Sequence, residues 1–151
     1  MFLTIKEMRS VMYDYQMNEI TEADSSIVLM AIDSAISEIK SYLTPSNQKQ
    51  WDDGRPLYDV DAIFSKTGKN RDALILELCK DIAAYRVCRL SNVDIIYEHV
   101  KERYQAAIDW FTKVSNGTVN PNLPTIDNSV NPGDDVRVPF RWGSRPKFHH
   151  E

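Results

Sequence analysis

Apolar residues recur at helical spacing through most of the first 117 positions, and no segment alternates for long enough to predict a strand. Thr4 and Glu7 form a T-x-x-E capping box ahead of a short helix running to about Gln16, with Ile5, Met8, Met12 and Tyr15 on one face. Thr21 to Asp24 repeats the start signal. Behind it Val28, Ile32, Ala35, Ile36, Ile39 and Leu43 make a stripe of period 3.6. That helix should end near Leu43, because Pro45 disfavours helical backbone at Thr44.

Asp59 to Phe64 reads as one helical turn with Val60, Ile63 and Phe64 facing inward. Asn70 is then expected to cap the third long helix, with Asp72 in the first turn, where the macrodipole favours a carboxylate. Leu74, Ile75, Leu78, Ile82, Tyr85 and Arg89 follow one face, and Leu76, Ala83, Val87 and Leu90 widen it. Apolar positions on several sides predict a central helix covered by several neighbours. Ser91 to Asp94 breaks it and caps a fourth helix carrying Ile96, Tyr97, Val100, Tyr104, Ala107, Ile108 and Phe111. Asn116-Gly117 supplies a left-handed C-cap.

Two segments fall outside this pattern. Residues 44–57 form a polar insert with two prolines, one glycine and a single aromatic, Trp51, which a neighbouring subunit or its own domain would cover. From Thr118 onward lie five of the seven prolines and too few apolar residues to fold alone. The expected architecture is therefore all-α: a small bundle of about four helices plus a short helical turn, followed by an extended non-helical C-terminal tail. Residues 1–117 make the helical body, with the insert at 44–57, and residues 118–151 the interaction tail.

Charge and cysteine usage narrow the function classes. The net charge of −4 belongs to residues 1–43, which hold 3 basic and 7 acidic side chains. The only basic cluster lies between Val136 and His150, where Arg137, Arg141, Arg145 and Lys147 meet no acid. Cys79 and Cys88 lie nine residues apart on one predicted helix, ~13 Å along its axis, too far to pair within one chain. They read as small buried hydrophobes. No run of about 18 apolar residues predicts a membrane span, and the charges in MFLTIKEMRS argue against a signal peptide.

Catalytic constellations are scarce. Asp52-Asp53 and Asp59-Val60-Asp61 would need further oxygen ligands to hold magnesium, and loop and helix-start roles explain them better. His149-His150-Glu151 is an adjacent terminal triplet without a preorganised site, and His99 lacks the H-E-x-x-H spacing of zinc proteases. There is no phosphate-binding glycine loop and no nucleophile elbow. These absences predict a protein that is not an enzyme and needs no cofactor.

The stretch Tyr58-Asp-Val-Asp-Ala-Ile-Phe64, Gly68, Arg71-Asp72, Glu77-Leu-Cys-Lys-Asp-Ile82, Tyr85 and Tyr104 to Trp110 resembles the Mu-type prophage head–tail connector family of tailed bacteriophages. MFLTIKEM, Asn120-Pro121-Asn122-Leu123-Pro124 and Phe140-Arg-Trp-Gly-Ser-Arg-Pro-Lys-Phe148 extend the likeness over most of the chain, and the insert around Gln48–Arg55 departs from it. The resemblance implies a helical connector (adaptor or head-completion) subunit of the virion neck. Such subunits form a homo-oligomeric ring of about twelve copies beneath the portal. The ring extends the channel for genomic DNA and docks a tail-side neck protein. The implied setting is the host cytoplasm during assembly and the virion afterwards, with no membrane partner.

Within that reading, Arg137, Phe140, Arg141, Trp142 and Phe148 are the expected anchors on the portal or a neighbouring subunit, since arginine and aromatics dominate interface energetics. Trp51 would serve the inter-subunit loop, and Glu19, Glu22, Asp24, Asp33 and Glu38 offer an acidic lumen through which DNA slides. The alternative is a DNA-binding accessory protein whose basic, aromatic tail grips phosphate and stacks bases. The acidity of the chain and the small number of cations weigh against it.

Overall fold

The structure, a computed structural model, describes residues 1–44, 56–91 and 97–126. Among them lie five α-helices: α1 (Asp14–Ile20), α2 (Ser25–Leu43), α3 (Val60–Ser65), α4 (Ala73–Leu90) and α5 (Glu98–Ser115). Two 3₁₀ segments, Ile5–Ser10 and Gly68–Asn70, complete the body, and the described residues hold no strand. The all-helical architecture is as the periodicity predicts.

α4 is the central element, packed chiefly on α2 and also on α5. Ala31 and Ala35 of α2 and Ala83 and Ala84 of α4 are buried, and side chains this small favour close approach of helices. Burial on α4 runs through Ile75, Cys79, Ile82, Ala83, Ala84, Val87 and Cys88, more than one face of the helix. Leu74 and Leu90, expected inside, lie exposed at its two ends. Both cysteines are free and buried, and burial pushes the Cys79 thiol up to about 12.

The direction of each helix follows from a few contacts. α4 and α5 are joined by a short connection and run antiparallel. Tyr104 of α5 stacks on Tyr85 of α4 at 4.0 Å between centroids, and its hydroxyl donates to Glu38 of α2 at 3.0 Å. Farther along both helices Tyr42 stacks on Phe111. α2 therefore runs parallel to α5 and antiparallel to α4.

Several helix boundaries differ from the periodicity. The N-terminal helix expected to reach Gln16 is two pieces. The capping box at Thr4 and Glu7 is present, but the turn closes at Ser10, whose hydroxyl donates back to the Glu7 carbonyl at 3.1 Å. Thr21 ends α1 instead of starting α2, its hydroxyl donating to the Met17 carbonyl at 2.8 Å. Asp24 is the N-cap of α2 and accepts from the Ser26 amide at 2.8 Å. Glu22 and Ala23 between them take φ of 52° and 63°, the left-handed backbone the reversal needs.

Asp72, not Asn70, caps α4, accepting from the Ile75 amide at 2.9 Å. The cause lies in Arg71, which stays extended at ψ 149° while its guanidinium donates to Glu7 and to the Phe2 carbonyl. With Arg71 extended, α4 starts after it. α5 starts at Glu98 with Tyr97 at the N-cap, later than the expected cap at Ser91–Asp94; Ile96 lies outside the described residues.

Candidate partner-binding end

One end of the bundle gathers the origins of both irregular segments. There α2 and α5 end, α3 lies beside the last turn of α2, and α4 begins. Lys40 near the end of α2 pairs with Asp61 at 3.6 Å and lies 5.6 Å over the Phe64 ring of α3. Phe64 meets Phe2 edge-on at 4.8 Å, and Arg71 ties Phe2 and Glu7 to the start of α4. Hydrogen bonding from Arg71 is the main reason the Glu7 carboxyl is held down at about 2.

The chain leaves α5 through a Schellman turn. Gly117 takes φ 77°, its amide donates to the Val114 carbonyl at 3.0 Å, and the Thr118 amide donates to Lys113 at 2.9 Å. The following segment folds back over the body. Val119 packs on the core and Leu123 is buried in it. An antiparallel bridge then pairs Thr125 with Tyr58. The Asp59 amide donates to the Pro124 carbonyl at 2.8 Å, and the Ile126 amide donates to Leu57 at 2.7 Å.

This clamp corrects the boundary placed at Thr118. Residues 118–126 belong to the body, and any free arm begins after Ile126. It also joins two places far apart in sequence: the exit of the insert, at residues 56–58, and the start of the arm emerge side by side. Tyr58 is 5% exposed, and its hydroxyl is buried with no hydrogen-bond partner among the described residues. Burial pushes its ionisation upward.

The residues singled out from the sequence divide in two. Trp51, Arg137, Phe140, Arg141, Trp142 and Phe148 lie outside the described residues, as do Asp52, Asp53 and the terminal histidines. Glu19, Glu22, Asp24 and Asp33 are exposed. Glu38 is different. It accepts from Arg86 at 2.7 Å and from Tyr104 at 3.0 Å between three helices, so its charge is compensated inside the bundle and it cannot serve a lumen. Asp59 caps α3 by accepting from the Ala62 amide at 2.9 Å, and Asp61 pairs with Lys40. Among the described residues no three His, Cys, Asp or Glu side chains converge on a metal-sized site, and no helix is long and apolar enough to cross a membrane.

Sequence reasoning missed the clamp and the Arg71–Glu7 latch. A bridge of one residue pair leaves no alternation to detect, and a contact spanning 64 positions leaves no local spacing.

The sequence model of the family described as Bacteriophage Mu, Gp36 matches residues 2–139 of the 151. The chain belongs to the bacteriophage Mu Gp36 family. That match takes in the helical body, the insert, the clamp and the first part of the C-terminal arm, as far as residue 139. No curated protein and no solved structure matches the chain.

Proposed function

We propose that this member of the Mu Gp36 family is a non-enzymatic head–tail connector subunit. It forms a ring beneath the portal of the virion, extends the DNA channel and docks the phage tail. The observation that carries the reading is the clamp at Tyr58 and Thr125, which delivers the insert and the C-terminal arm from one end of a rigid helical body. A ring subunit needs different contacts on its different sides, and arms that reach a neighbour or the portal provide them. Arg137, Phe140, Arg141, Trp142 and Phe148 anchor the arm, and Trp51 serves the insert. Glu19, Glu22 and Asp24, exposed near the turn before α2, suit a lumen that repels phosphate.

The test is a truncation after Ile126 mixed with portal particles. The shortened chain keeps its helical signal and melting temperature and no longer co-sediments with the portal. Co-sedimentation equal to that of the full chain contradicts the anchoring role. Steep loss of duplex-DNA binding by the full chain as salt rises would favour the DNA-binding alternative instead.

A further inference from the structure

The outward face of α2 carries little charge for a helix left in solvent. Burial on α2 falls on Val28, Ala31, Ile32, Ala35, Ile39 and Leu43. The opposite side presents Ser26, Leu29, Met30, Asp33 and Ser37 within roughly 100° of the circumference. All five are exposed, Met30 at 59%. Exposed methionine and leucine with a single charge have the composition of the centre of a protein–protein contact.

The charge around this face has one sign. Residues 10–39 hold six acids and no base. Asp14 and Glu38 are taken by Arg9 and Arg86. Asp33 on the face, and Glu19, Glu22 and Asp24 ahead of α2, are exposed and make no ion pair among the described residues.

The complement lies in the chain itself. Residues 136–150 hold Arg137, Arg141, Arg145 and Lys147 with no acid, interleaved with Phe140, Trp142 and Phe148. The arm that carries them also starts in the right place. The Ile126 amide donates to Leu57, two residues before Asp59, which caps α3, and Asp61 of α3 pairs with Lys40 of α2. Lys40, Asp33 and Leu29 lie within roughly 40° of one another around α2, so the arm leaves the body at one end of the same stripe. Helical rise puts Leu29 roughly 17 Å from Lys40. Phe140 stands 14 positions after Ile126, and extended backbone covers up to about 46 Å over that length. A segment tethered this closely meets its own body at an effective concentration on the order of millimolar, well above that of other copies in dilute solution.

We infer that residues 137–148 dock on the outward face of the same chain's α2. Phe140 and Trp142 cover Leu29 and Met30, and the arginines beside them take Asp33. The acids ahead of α2 draw the basic segment toward that end of the helix. This docking stands apart from the connector reading; within that reading, the face holds the arm until the portal or a neighbouring subunit takes it.

Disulfide trapping in the full chain tests the contact. Cys79 and Cys88 are buried, so introduced cysteines are the reactive thiols. In dilute solution under mild oxidation, a chain carrying Ser26→Cys and Ser144→Cys closes a disulfide within one molecule. It does so at least tenfold faster than a chain carrying Gln105→Cys, on α5, and Ser144→Cys. Adding Met30→Asp or Asp33→Lys to the first pair brings its rate down to that of the second, with circular dichroism confirming that each variant is folded. Equal rates for the two pairs overturn the docking, as does a fast closure that Met30→Asp and Asp33→Lys leave unchanged. Disulfide-linked dimers in place of closed monomers overturn it too, and assign the face to the arm of a second copy. Each of these failures leaves the co-sedimentation test with portal particles, and with it the connector reading, standing.

Discussion

Arg71 shows how one side chain organises the amino-terminal half of the fold. Its guanidinium takes the Glu7 carboxylate, the Phe2 carbonyl and the Gly68 carbonyl together, and is itself almost wholly covered. The Glu7 carboxyl falls from an ordinary 4.5 to about 2 in the fold. A carboxylate depressed in the native state contributes stability that is complete above its unfolded value and disappears as pH falls through the folded one. Thermal unfolding followed from pH 7 to pH 2 should therefore show a loss of up to about 3 kcal/mol, concentrated between pH 5 and pH 2. Glu7→Gln should flatten that part of the profile. At Tyr58 the sign is reversed. Its buried hydroxyl makes no hydrogen bond among the described residues, so Tyr58→Phe removes a desolvated group and should leave stability unchanged or raise it by about 1 kcal/mol in urea unfolding.

Among the elements, the long helices were legible and their starts were not. α2 announced itself because Val28, Ile32, Ala35, Ile39 and Leu43 sit at helical spacing and are the residues actually buried. The start of α4 was misplaced because Asn70 and Asp72 are both good caps, and only the distant pull on Arg71 decides between them. The turn into α2 was misread for a similar reason. Thr21 and Asp24 both look like caps, and no spacing predicts the left-handed backbone at Glu22 and Ala23 between them. Two measurements probe these elements. Asp72→Ala should cost about 1 kcal/mol through the lost cap bond to Ile75. Ala23→Gly should stabilise by roughly 0.5–1 kcal/mol, since glycine adopts φ of 63° without strain and exposed Ala23 has little packing to lose.

For the whole molecule, the sequence pattern separated body from flanks but drew the line too early, because Val119 and Leu123 look isolated among prolines and only the fold reveals that they pack. That difference yields a prediction. Truncation after Gly117 removes Leu123 and the pairing to Leu57–Asp59, and should lower stability by about 2 kcal/mol or more, whereas truncation after Ile126 should be nearly neutral. The side-by-side origin of insert and arm was equally hidden, since residues 57 and 126 meet only through tertiary structure. This shared origin, together with membership of the Mu Gp36 family, is what supports the proposed role in assembly. Electron microscopy of the full chain mixed with isolated portal particles examines that role most directly. A closed ring of this chain stacked coaxially on the portal is the predicted result; portal particles that remain bare, with the chain free in solution, would contradict it.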